Sequence, residues 1–178
     1  MATKTSIGQE RPHLEAVLGP LTGSDDAVIR SVFDECDEKL IGLARFFGRE
    51  RAGWEGTGLE LTWYPSGQVM IDSFVETGLG SSQCVSFCVE LRPAWIYGDK
   101  SAVLAWEIEA EIYADCQHKI DHRGMDLVHK LPVVRAPSAI DAATVLRNVI
   151  DELVRLAQEN PLEHWLRLAS DEDQGPGD

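Results

Sequence analysis

Three groups of residues have the types and spacing that chemistry needs. The densest is Asp115-Cys116-Gln117-His118-Lys119-Ile120-Asp121-His122, which puts a thiol and two imidazoles into eight residues. Cys116, His118 and His122 are ligand types for zinc or another transition metal. If a turn at Asp121 to Gly124 folds the segment as strand, turn and strand, His118 and His122 flank its tip. The HExxH grip, with both histidines on one helix face, is absent. A polar hairpin tip carrying exposed histidines is the plainer account.

The second group is Glu107, Glu109 and Glu111, alternating with apolar residues in SAVLAWEIEAEIYA from Ser101 to Ala114. Spaced by two on a strand, neighbouring carboxylates stand roughly 6 to 7 Å apart on one face. Such a ladder can grip a basic segment or a cation, or supply the acid and base of a hydrolase. Alternating glutamates also keep the outer face of an antiparallel sheet wet. Small residues at Cys84, Ser86 and Cys88 on the next strand leave room above the ladder.

The third group is aromatic. Trp95-Ile96-Tyr97 reads as a loop whose rings can anchor a partner. His129 falls on the inward phase of its segment, near Ile112, where with Trp106 it would line a pocket. No nucleophile is legible: GxSxG is missing, and none of the four cysteines has an assignable histidine. Gly78-Leu79-Gly80-Ser81-Ser82 lacks the lysine of a phosphate loop.

The elements that must position these groups follow from periodicity. Ser101 to Ala114 alternates with period two, the pattern of a half-buried strand. Leu59 to Tyr64 and Gln68 to Val75, linked by Pro65-Ser66-Gly67, predict a hairpin with Tyr64 against Gln68, Trp63 against Val69 and Leu61 against Ile71. Cys84 to Arg92 is a further strand stopped by Pro93. Keeping its apolar phase with that of the next strand sets Phe87 opposite Ile108 and Val89 opposite Trp106.

Met125 to Val134 reads as an edge strand, since Pro132 cannot donate to a ladder. Apolar residues at spacings of three and four predict helices over Asp25 to Phe47 and Ser138 to Glu159, the latter opened by a Ser138/Asp141 capping box. A short turn over His13 to Leu18 and a last helix after Pro161 complete the set. The expected fold is α+β: a five-stranded antiparallel meander with one face covered by the N-terminal helix and the long C-terminal helix. Residues 1–10 read as a flexible start, 11–169 as a single domain and 170–178 as a disordered acidic tail.

The balance of 16 Lys and Arg against 30 Asp and Glu gives a net charge of −14. That charge opposes nucleic acid and anionic membrane surfaces and suits a basic protein partner, leaving room for a homo-oligomer. Cysteines without a CxxC pair, no leader pattern and no long apolar run point to the cytoplasm. The reading that follows is a soluble, acidic, non-enzymatic binding protein of the partner-neutralising or escort type, comparable by size and charge alone to immunity proteins and secretion chaperones. Its partner-binding residues would be Glu107, Glu109, Glu111, Trp95 and Tyr97, and no cofactor is expected beyond a transition metal at the hairpin. One alternative is a small-molecule domain with a pocket between sheet and C-terminal helix, at His129 and Trp106. The other is a metal-dependent enzyme using Cys116 to His122.

Overall fold

A computed structural model describes residues 3–6, 14–47, 58–66, 68–78, 84–97, 102–114 and 125–171. The fold is α+β with an antiparallel sheet. Its elements are β1 (Thr3–Ser6), α1 (Leu14–Leu18), α2 (Ser24–Phe46), β2 (Glu60–Trp63), β3 (Val69–Gly78), β4 (Cys84–Tyr97), β5 (Ala102–Ala114), β6 (Asp126–Lys130), β7 (Val134–Ala136), α3 (Ala139–Glu159) and α4 (Leu162–Asp171).

The sheet runs β1-β2-β3-β4-β5-β6, with β7 also paired to β5. Among the described residues it has seven strands rather than five. Thr3–Ser6, expected in a mobile start, adds the first by pairing with β2. The other arises because the expected strand over Met125 to Val134 is broken. Leu131 still donates its N–H to the Ala110 carbonyl at 2.9 Å, but after Pro132 the chain re-pairs with β5 as β7, Ile108 against Val134. Leu127 and Val133, which share the alternation phase that turns His129 inward in the sequence, are exposed. A register shift between Ile112 and Tyr113 accounts for Leu127, which it moves opposite Tyr113.

The β2/β3 hairpin has the expected register, Trp63 against Val69 and Leu61 against Ile71, with Tyr64 N–H donating to the Gln68 carbonyl at 2.9 Å. The β4/β5 register differs by four residues. Phe87 faces Ile112 and Val89 faces Ala110, because β4 does not stop at Pro93 but runs on to Tyr97. The proline is tolerated for a structural reason. The ladder to β3 ends at Leu91, so among the described residues Pro93 pairs with β5, against Trp106. Trp95 and Tyr97 therefore belong to a strand, not a loop.

One face of the sheet is covered by helices. Ile29, Phe33, Cys36, Leu40 and Leu43 of α2 and Ala142, Leu146, Ile150 and Leu153 of α3 are buried against Ile71, Val75, Phe87, Leu91, Ile108 and Ile112. α2 starts at Gly23, whose φ of 68° is a left-handed conformation that glycine adopts without strain. α3 is capped as the sequence implies: the Ser138 hydroxyl accepts from Asp141 N–H at 3.2 Å and donates to the Asp141 carboxylate at 2.6 Å. Lys39 of α2 ties the two helices together through Asp151. A second tie joins α2 to the start of β2, where Asp37 Oδ1 accepts the Leu59 N–H at 2.8 Å. A Cβ at Gly58 would stand 2.1 Å from that oxygen, so only glycine leaves room for it. Among the described residues no helix is long and apolar enough to cross a membrane.

Candidate functional site on the open sheet face

The alternation of each strand sends its second set of side chains away from the helices. Register places them in rows across the sheet. Glu60, Asp72, Glu90 and Glu109 form one row; Phe74, Cys88, Glu111 and Lys130 form the next; Ser86 and Tyr113 pair beyond that. Arg92 and Arg135 flank Glu107 from either side. Acids directly opposite one another repel, so these rows need cations.

The chain supplies most of them itself. Arg92 reaches Glu90 at 3.4 Å, Glu107 at 3.5 Å and Glu109 at 3.2 Å. Lys130 pairs with Glu109 and, at 2.7 Å, with Glu111, while Arg135 pairs with Glu107 at 2.7 Å. The Tyr113 hydroxyl donates to Glu111. The three ladder glutamates are thus only 15%, 12% and 18% exposed, and each is already held by cations of neighbouring strands. The hydrogen bond from Arg135 holds the Glu107 carboxyl below the usual range. Among the described residues three cations meet Glu90, Glu107, Glu109 and Glu111, and with Asp72 also in the row of Glu90 the carboxylates of this face are in excess.

Beside the ladder the face sinks into a trough of about 430 Å³. Its floor is Ser86 and Cys88, both buried and in contact, with 3.3 Å between Oγ and Sγ. Phe74, 39% exposed, walls one side; Tyr113, Glu111 and Glu109 wall the other, with Glu90 at one end and Met125 also lining it. Small side chains in the middle strand between larger ones on both neighbours create the depression, as Cys84, Ser86 and Cys88 lead one to expect. Those residues sit four positions further along the ladder than expected, so Cys88 lies beside Glu111 and Ser86 beside Tyr113.

Phe74 and Glu90 are the functional candidates that sequence reasoning passed over. The signal for Phe74 is present: in Asp72-Ser73-Phe74-Val75-Glu76 it stands on the polar phase of its strand. Burial pushes the Cys88 thiol up to about 12, and Cys36, on the buried face of α2, likewise. Both therefore stay protonated near neutral pH and are poor nucleophiles.

The remaining sequence candidates lie elsewhere. Trp95 and Tyr97 are 59% and 81% exposed near the end of the β4/β5 ribbon, away from the trough lining. Trp106 is buried, and its Nε1 donates to the Val17 carbonyl at 2.9 Å. His129 does face Ile112 on the helix-covered side, with its ring centroid 5.9 Å from that of buried Trp165. Trp106, Ile108 and Leu146 fill the space between sheet and α3. A smaller depression of about 260 Å³ opens at the sheet edge, lined by Leu131, Pro132, Val134 and Val149 among others, without His129 or Trp106. Cys116, His118 and His122 lie outside the described residues, among which no group of three or more His, Cys, Asp or Glu stands close enough to hold a metal ion. Comparison of the chain with protein-family models, with curated proteins and with solved structures finds no match to any of the three.

Proposed function

We propose that the protein is a non-enzymatic binding protein whose open sheet face receives a basic partner, with the trough over Ser86 and Cys88 as the socket. The trough carries this reading. It is of the size that receives ligands, it combines apolar walls with a few convergent polar groups, and it lies where carboxylates outnumber the cations that meet them. The net charge of −14 favours encounter with a positively charged partner. The chemistry of the lining argues for binding over catalysis, because the Cys88 thiol is held protonated and Glu109 and Glu111 are engaged by Lys130.

The glutamate ladder alone is a weaker basis for capture than its sequence implies. A partner competing for Glu107 must displace Arg135 and Arg92, and the exchange of one surface ion pair for another gains little. Trp95 and Tyr97 give the partner a second, apolar contact at the ribbon.

The test is native mass spectrometry of the chain captured from the lysate of its own host, alongside Ser86→Leu, which fills the trough. A basic companion retained by the wild type and lost by the variant is expected. A companion held equally by both, an acidic companion or none at all would overturn the assignment.

A further inference from the structure

The charges around the trough are unevenly met, and this identifies the ligand's chemistry. Arg92 is one guanidinium shared by three carboxylates, none closer than 3.2 Å. Glu107 has Arg135 besides, and Glu109 has Lys130. Among the described residues, Glu90 pairs with Arg92 alone, at 3.4 Å. Glu90 also stands between Asp72 and Glu109 in its row, with carboxylates on both neighbouring strands. It lines the trough at the end nearest Arg92.

From Glu90 the trough follows β4 over Cys88 to Ser86, four residues or roughly 13 Å of strand. Two strand spacings, roughly 10 Å, separate the Phe74 wall from the Glu111 and Tyr113 wall. A slender apolar body fits that length and width. A ring lying against Phe74 gains stacking, and a cation near the Phe74 or Tyr113 face gains attraction to the ring.

Resting on the open-face reading, we infer that the trough binds an organic ammonium, its charge at Glu90 and its apolar body along Phe74, Cys88 and Ser86. A positive charge is specified because, among the described residues, the carboxylates of this face outnumber the three cations that meet them. Anions are excluded by the same tally. The ammonium comes either from a free amine or from a lysine side chain of the basic partner.

The experiment is backbone-amide NMR titration of the full chain with four probes: 2-phenylethylammonium, 2-phenylethanol, 3-phenylpropionate and N-acetyl-lysine methylamide. The two ammonium probes are expected to shift Phe74, Ser86, Cys88 and Glu90, with the alcohol about tenfold weaker and the carboxylate without effect. Tighter binding of phenylethylammonium than of the lysine amide assigns the site to a free amine; the reverse assigns it to a partner side chain. Glu90→Gln, which keeps the side chain's size, should weaken the ammonium probes about tenfold and leave the alcohol unchanged. If the alcohol or the carboxylate binds as tightly as the ammonium, or if Glu90→Gln changes nothing, the inference is wrong and the trough is a site of different selectivity. Probes that leave the trough resonances unmoved would also overturn it. The open-face reading then stands or falls separately, on whether Ser86→Leu loses the captured companion.

Discussion

The two faces of this sheet are made by the same strands, yet they are held by different forces. On the helix side Ile71, Phe87, Leu91, Ile108 and Ile112 are almost wholly excluded from water by α2 and α3. On the open side, a row away on the same strands, Glu107, Glu109 and Glu111 lean on Arg92, Lys130 and Arg135. Burial of apolar area stabilises in proportion to the area removed from water, while half-exposed ion pairs contribute under about 1 kcal/mol each. The helix side therefore supplies stability, and the open side is free to be shaped for binding.

Two phenylalanines measure that difference most directly. Phe87 is fully buried beneath the helices and stacks on Phe47 at 5.5 Å between centroids, whereas Phe74 is 39% exposed on the trough wall. Phe87→Ala should cost about 3 to 5 kcal/mol in urea denaturation. Phe74→Ala should cost under about 1.5 kcal/mol, and equal costs would abolish the division of labour.

A smaller effect tests how the helix side is tied to the sheet. Gly58→Ala drives a methyl into Asp37 Oδ1 and displaces it from Leu59 N–H. A loss of about 1 to 3 kcal/mol is expected by the same measurement. Combined with Asp37→Ala, the second change should add little, since both remove one interaction. Full additivity would show that the tie is not what Gly58 protects.

The helix side also contains a fault. Ser73 lies on its phase, buried, with its Oγ lacking a hydrogen-bond partner. Ser73→Ala removes that hydroxyl and should raise stability by about 1 kcal/mol. A destabilised variant would mean the hydroxyl has a bond in solution.

The faces should respond to acid with opposite sign. Burial raises the Asp37 carboxyl, so its charge opposes folding at neutral pH and that cost is relieved as pH falls. Arg135 lowers the Glu107 carboxyl, so its pairing stabilises above the ordinary carboxylate range and is lost as pH falls through the depressed folded value. Arg135→Ala should therefore shrink the stability difference between neutral and acid pH, by under about 1 kcal/mol given how exposed Arg135 is. An unchanged acid limb would remove the pair from the account.

Legibility followed the range of the interactions. The Trp63 to Val69 hairpin was readable because a three-residue link and a period of two leave one register. The Ser138 cap was readable because all its partners lie within three residues. The β4/β5 register was not, since Pro93 reads as a stop unless one knows that the β3/β4 ladder has already ended at Leu91. The ladder's phase could be seen in Glu107 to Glu111, but its neutralisation could not. Its cations stand on three other strands, and only the assembled sheet brings them within reach.

The way the sheet ends on the β5 side has a consequence for handling the protein at high concentration. A long, regular outer strand is a template on which further chains can stack. Here β6 has five residues beside a register shift, Pro132 interrupts the run, and β7 resumes for three. Among the described residues, this margin offers an incoming strand only short, interrupted runs to grow along. With like net charge on every molecule, that margin should resist fibril seeding, leaving the Trp95 and Tyr97 ribbon as the place where self-association begins.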